Sequence, residues 1–158
     1  MIVILGSGGH ARAVVGTWDH GHPPYRYATD DDDVHADEQV IIGVGDLQTR
    51  KRLYERFRAQ IFEDAAQIMR GVILDPGAKL GVNVLLNTGC QVDHDCIVGH
   101  HCVIGPGAIL CGGVTLGAEC AIGAGAIILQ DVKLEARTKV PAGTLVVSAD
   151  EWRHPVKR

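Results

Sequence analysis

Aromatic side chains are scarce, at 4% of the chain, which excludes a core organised around large rings. An excess of positive charge is missing too. The formal net charge is −4, so there is no electrostatic footprint for nucleic acid. No apolar run approaches the roughly 20 residues of a membrane-spanning helix. The first apolar stretch, Ile2, Val3, Ile4 and Leu5, is too short for the core of a secretion signal and lacks a basic start. A cytoplasmic location is the expectation. Cysteine pairs of the C-x-x-C type, the usual mark of a structural zinc, are also lacking. The five cysteines are 90, 96, 102, 111 and 120, and all but Cys111 lie multiples of six apart. Glycine, by contrast, is abundant at 20 of 158 residues. This composition suits a repetitive architecture of small and aliphatic residues.

The repeat lies in the second half. Every sixth residue from Leu74 is aliphatic: Leu74, Leu80, Leu86, Val92, Val98, Ile104, Leu110, Leu116, Ile122, Ile128, Leu134 and Val140. Four residues after each comes a small or β-branched one, as at Ala78, Val84, Cys90, Cys96, Cys102, Ala108, Val114 and Cys120. The residue directly after the aliphatic one is often glycine, as at Gly81, Gly99, Gly105, Gly117 and Gly123. A period of six is neither helical nor a plain strand alternation. It fits a short strand plus a turn, three to a triangular coil of eighteen residues. Twelve such units make about four coils, with the aliphatic side chains filling the interior and the small ones under the corners. Cys90, Cys96, Cys102 and Cys120 are then packed thiols, while Cys111, at the usual glycine site, is partly exposed. A prism this short leaves open ends and faces, which favours association.

The first sixty residues have another pattern. Residues 2–5 read as a buried strand, followed by the turn Gly6-Ser7-Gly8-Gly9-His10-Ala11 and a helix over 10–20. Strands are expected at 25–28 and 40–44, with an acidic run at 30–33 between them. An amphipathic helix is expected over 47–58, carrying Leu47, Leu53, Tyr54 and Phe57 on one face. This order implies a small, Rossmann-like parallel sheet. The expected division is an α/β domain over 1–64, a parallel β-helix over 70–147 and a tail over 148–158.

Two motifs can carry chemistry. Gly6, Gly8 and Ala11 match G-x-G-x-x-A, and Asp30 follows about twenty residues later. Glycines let a backbone approach phosphate, and a helix N-terminus favours its charge. Sixty residues are too few for a full dinucleotide fold, so half a site, for a nucleotide or sugar nucleotide, is expected; a turn serving only packing is the plainer reading. The second motif is Asp93-His94-Asp95. Val92 points inward, so His94 faces out, and Gly112 and Gly113 lie one coil above. A neutral histidine held by a carboxylate is a general base near neutral pH, and a free N–H at Gly112 could stabilise an oxyanion. His100 and His101 raise the question of a metal. Equivalent repeat positions put His94 and His100 on different faces, so within one subunit they do not converge as zinc ligands. His20, His22 and His35 read as loop residues.

Taken together, these residues resemble the hexapeptide-repeat acyltransferase superfamily. The G-S-G-G-H-A turn, Ile41-Ile42-Gly43-Val44-Gly45 before a basic helix, and Leu86-Asn87-Thr88 leading to Asp93-His94-Asp95-Cys96 are similar to the NeuD/PglD type of sugar O- and N-acetyltransferases. The resemblance runs from residue 1 to about 147. It implies a left-handed β-helix, a homotrimer and acetyl-CoA as co-substrate. It implies that His94 takes the proton of a sugar amine or hydroxyl, that Asp95 raises its basicity, and that the Gly112 N–H lies at the oxyanion. It also implies a sugar-nucleotide site at Gly8, Gly9, His10, Asp30, Asp31 and Gly45, with Asn87 near the substrate. CoA is implied beside Gly112, Ala124 and Ala142. Three departures stand out. A second family histidine falls at Val103, the loop between Asp33 and Val40 is short, and the usual ending is altered around Val140-Pro141-Ala142-Gly143-Thr144. Two other readings stay open: a γ-carbonic-anhydrase-like metalloenzyme, and a trimeric scaffold without turnover.

Overall fold

In the computed structural model the described residues are 1–6, 8–9, 11–12, 24–29, 34–61 and 66–149. His10, Asp30 and Asp31, most of the helix expected over 10–20, and the tail from 150 lie outside them. The chain divides into two units, Met1–Asp64 and Ala65–Arg158. Among the described residues no helix is long and apolar enough to cross a membrane.

The first unit is a three-stranded parallel sheet in the order β2-β1-β3, formed by β1 (Ile2–Leu5), β2 (Tyr25–Ala28) and β3 (Gln39–Ile42). All four residues of β1 are buried, as a central parallel strand requires. β3 pairs in register from Ile2↔Gln39 to Leu5↔Ile42, so the strand expected over 40–44 starts one residue earlier and ends two earlier. The Gly43 N–H still donates to Leu5 O at 2.9 Å, and the chain then turns. Helix α1 (Leu47–Phe57) follows, ending in a 3₁₀ turn at Arg58–Gln60. Asp46 caps its start, its Oδ1 accepting from the Thr49 N–H at 2.8 Å. Leu47, Leu53, Tyr54 and Phe57 are buried, as the amphipathic pattern anticipates. At the other end of the sheet, Arg26 grips the Glu38 carboxylate through Nε at 2.9 Å and Nη2 at 2.7 Å. The His35 N–H adds a third bond at 2.9 Å.

The second unit is a parallel β-solenoid of three faces. Face 1 stacks β4 (Gln67–Ile68), β7 (Leu85–Leu86), β10 (Val103–Ile104), β13 (Ala121–Ile122) and β16 (Lys139–Val140). Face 2 stacks β5 (Ile73–Leu74), β8 (Gln91–Val92), β11 (Ile109–Leu110), β14 (Ile127–Ile128) and β17 (Leu145–Val146). Face 3 stacks β6 (Lys79–Leu80), β9 (Ile97–Val98), β12 (Thr115–Leu116) and β15 (Lys133–Leu134). Partners such as Leu86↔Ile104 and Ile104↔Ile122 are eighteen residues apart, the stacking that the hexads predict. The solenoid begins slightly before the expected span of 70–147, at Gln67, and Ile68 and Val146 continue the six-residue aliphatic series beyond Leu74 and Val140. From Leu86 to Val140 the aliphatic series is buried. Leu74 is 39% exposed and Leu80 half-buried, because strands of the first coil pair with one neighbour only.

From Val84 to Val132 the small residues under the corners are buried as well, Cys90, Cys96, Cys102 and Cys120 among them, while Cys111 is half-buried. The thiols gain something that alanine could not. Cys96 donates to Cys111 O at 3.2 Å, Cys102 to Gly117 O at 3.2 Å and Cys120 to Glu135 O at 3.1 Å. Each bond ties one coil to the next. Burial pushes the Cys90 thiol up to about 11, and pushes Cys96 up as well, so both stay protonated and inert.

Candidate active site

The solenoid has three edges, and their contents differ. Edge 2/3, between faces 2 and 3, carries His94 and Asp95 on the turn from β8 to β9. Gly112 and Gly113 lie one coil above them, with Asp75 and Gly77 one coil below. Side chains on this turn project outward because Val92 and Cys96 on either side are buried. His94 and Asp95 are accordingly exposed, at 67% and 76% of their side-chain surface. Asp95 sits in the left-handed region at φ 59°, which aspartate tolerates better than most residues.

That conformation sets the dyad. His94 Nδ1 lies 3.0 Å from Asp95 Oδ2. With the carboxylate ionised, Nδ1 carries the proton and donates, so Nε2 holds the lone pair. The Asp95 hydrogen bond raises the His94 pKa above the ordinary imidazole value. The charges of Asp95, Asp93 and Asp75 add to the rise, against the desolvation that lowers it. Asp93 itself accepts from Gln91 Nε2 at 2.7 Å.

The glycines are seats for this pair. A Cβ at Gly112 would fall 2.6 Å from His94 Nε2 and 2.7 Å from Cε1. The room that the sequence assigns to open space beside the imidazole is therefore where the ring lies. The ladder at this corner uses the Gly113 N–H, which donates to His94 O at 3.0 Å, and the Gly112 carbonyl, which accepts from the Asp131 N–H at 3.1 Å. The Gly112 N–H is not one of its donors. Gly77 does for Asp95 what Gly112 does for His94: a Cβ there would fall 2.6 Å from Asp95 Oδ1. The sequence reading missed Gly77, although the eighteen-residue column 77, 95, 113 contains it.

Other expected site residues stand elsewhere. Asn87, Ala124 and Ala142 share edge 1/2, across face 2 from the dyad, and both alanines are exposed. Asn87 Oδ1 accepts from the Thr88 N–H at 2.8 Å. His100 and His101 are on edge 3/1. His100 Nδ1 accepts from the Val82 N–H at 3.0 Å, and His101 Nδ1 lies 3.0 Å from Asn83 Nδ2. Neither takes the outward position of Val103 on face 1. In the first unit, Gly8 and Gly9 are exposed at the turn after β1, and Gly45 is half-buried before α1.

A three-faced parallel solenoid with a six-residue period is the left-handed β-helix fold of hexapeptide-repeat proteins. Among solved structures, the chain is similar to the acetyltransferase domain of PglB from Neisseria gonorrhoeae FA1090. That match has 22% identity and a TM-score of 0.76, and covers 93% of this chain and 91% of that one. It is also similar to PerB from Caulobacter crescentus, solved in complex with CoA and GDP-perosamine. Here identity is 27% and the TM-score 0.73, with coverage of 93% and 88%. WeeI from Acinetobacter baumannii AYE matches at 19% identity and a TM-score of 0.56, over 93% and 96%. The PglB and WeeI matches bear on the fold alone. No family model matches the chain, and no curated protein matches it.

Proposed function

We propose that this protein is an acetyl-CoA-dependent acetyltransferase that acts on an amino group of a nucleotide-linked sugar, with His94 as general base. The single observation that carries the mechanism is the His94–Asp95 dyad seated on Gly112, with Nε2 as its free lone pair. The substrate class is supported by the likeness to PerB, whose structure contains CoA and GDP-perosamine. In this reading the sugar amine attacks the thioester carbonyl while Nε2 takes its proton. The new C–N bond forms, the oxyanion is met by the Gly112 N–H, and the C–S bond then breaks. The CoA sulfur leaves with a proton, which His94⁺ can return to it. Asp95 keeps the ring in the tautomer that the first step needs. Gly8, Gly9 and Gly45, with His10, Asp30 and Asp31, are assigned to the nucleotide part of the substrate, and Asn87 to its sugar.

Ala124 and Ala142 are assigned to CoA, yet in one chain they stand across face 2 from His94. A trimer reconciles the two. The outward residues of face 2 include Ile73, Ile109, Ile127 and Leu145, with Ile73 53% and Leu145 58% exposed. Three prisms that turn this face to a common axis bring edge 2/3 of each against edge 1/2 of the next. One subunit then supplies the base, and its neighbour the wall along which CoA lies.

The test is CoA release. The protein is incubated with acetyl-CoA and GDP- or UDP-linked 4-amino sugars, with and without a metal chelator. Chelator-insensitive release that depends on the amino sugar supports this reading. Release or hydration activity that vanishes with chelator favours the metalloenzyme, and acetyl-CoA binding without turnover favours a scaffold.

A further inference from the structure

Three buried thiols reach from one coil to a carbonyl of the next, each from the same place in the repeat. Cys96, Cys102 and Cys120 donate to carbonyls fifteen residues on, those of Cys111, Gly117 and Glu135. Packing alone does not require a donor here. Ala108, Val114 and Ala126 fill equivalent sites, equally buried, without one. The Cys102 and Cys120 bonds fall on edge 3/1, away from the dyad. The Cys96 bond falls on edge 2/3, on the peptide that joins Cys111 to Gly112.

The Cys111 carbonyl is held twice. It accepts from the Val114 N–H at 3.3 Å, which closes the turn, and from Cys96 Sγ at 3.2 Å. The turn bond is long, and Gly112 has no Cβ to restrict rotation of the peptide before it. The thiol is the second tether. Cys96 is fully buried, and burial keeps it protonated, so its S–H is there to donate. A peptide unit is planar and trans, and none of the described residues has a cis bond. In such a unit the C=O and the N–H point in opposite directions. A Cys111 carbonyl turned in to a buried sulfur therefore turns the Gly112 N–H outward. Outward on this edge is where the His94 ring lies, its Nε2 at the place of the missing Gly112 Cβ. No rung of the ladder takes that N–H among the described residues.

We infer that Cys96 is a positioning residue for acyl transfer: its thiol holds the Cys111 carbonyl inward and so fixes the Gly112 N–H at the oxyanion beside His94. This rests on the acetyltransferase reading above. A donor set in place beforehand costs no reorganisation as charge develops on the oxygen. A peptide left free to turn would present its carbonyl to the same oxygen for part of the time. Cys96 itself touches no substrate and acts only through this peptide.

The experiment compares Cys96→Ala and Cys96→Val with Cys102→Ala and Cys102→Val, by steady-state CoA release and by thermal melting of the full chain. Alanine leaves a small gap and valine fills it; both occur at equivalent sites, and neither donates. The expected result is a kcat lower by about fivefold or more in both Cys96 variants, whichever of the two melts lower. Outright loss of an oxyanion donor costs about 10²–10³, so the fall should stop short of that. The KM for acetyl-CoA and the acid limb of the pH profile should match the wild type, because His94 is untouched. The Cys102 variants lose the same kind of bond on edge 3/1 and should keep kcat within about twofold. Should Cys96→Val fail to fold, Cys96→Ala carries the comparison. A wild-type kcat in either Cys96 variant overturns the positioning role. An equal fall in the Cys102 variants, or a displaced acid limb, overturns it too, by tracing the loss to stability or to His94. A wild-type chain that releases no CoA with any amino sugar overturns the acetyltransferase reading itself and this role with it, a failure visible before any variant is made.

Discussion

At the scale of the residue, the account turns on two side chains and on two missing ones. Gly112 has no Cβ where His94 puts its ring, and Gly77 has none where Asp95 puts its carboxylate. Gly112 does not adopt a positive φ, so alanine fits its backbone, and the atom that must move is the tip of an exposed ring. Gly112→Ala should therefore leave the melting temperature within a few degrees while the imidazole is displaced. A misplacement of this size costs about 10²-fold in turnover. Circular dichroism melting alongside CoA release checks both halves. Asp95→Asn tests the other contact. Asp95 raises the His94 pKa, and the base works unprotonated, so activity falls on the acid side through that raised value. Removing the carboxylate should move the His94 titration to lower pH, read by NMR at the ring protons, and should lower turnover less than loss of the ring itself. An unmoved titration would show that Asp95 does not set the basicity.

At the scale of the element, two devices hold the parts together, and both are testable. In the solenoid, aliphatic residues stack eighteen apart and packed thiols bridge the coils. Leu110→Ala removes such a residue from the middle of face 2 and should cost about 2–5 kcal/mol. Reductant should change neither that variant's melt nor the wild type's, because all five cysteines are free thiols. In the sheet unit, Glu38 is held by Arg26, which lowers its pKa from 4.5 to about 2. A depressed carboxylate contributes stability above its unfolded pKa, and that contribution is lost as pH falls through the folded value. Glu38→Gln should thus be less stable at neutral pH and show a shallower loss between about 4.5 and 2. The solenoid was legible in the sequence because its period is strict: one interior residue in six, without insertion, fixes strand, corner and column together. The aliphatic series expected from Leu74 to Val140 extends one position further each way, to Ile68 and Val146, which obey the same rule. The dyad was legible for the same reason, since the column placed Gly112 over His94. The end of β3 was less so, because Val44 looks like strand, yet β1 offers only four residues to pair with. The burial of Arg50 was hidden altogether, since a basic residue on an amphipathic helix reads as solvated surface until the structure buries it.

At the scale of the whole molecule, the site assigned to one chain is divided between two edges of one prism, and assembly is what would unite it. Light scattering at micromolar concentration should give three times the chain mass, and a stable monomer with full activity would show that the two edges need no neighbour. Replacement of Ile109 by aspartate on face 2 should break the assembly and lose turnover together. The most direct test of the central claim is the turnover of His94→Ala, measured as CoA release, with acetyl-CoA affinity titrated on the same sample. General-base catalysis supplies about 10²–10⁴ in rate, so kcat should fall by that factor while acetyl-CoA binds as before. A His94→Ala protein that releases CoA at near wild-type rate would contradict the mechanism, whatever the fold and the cofactor prove to be.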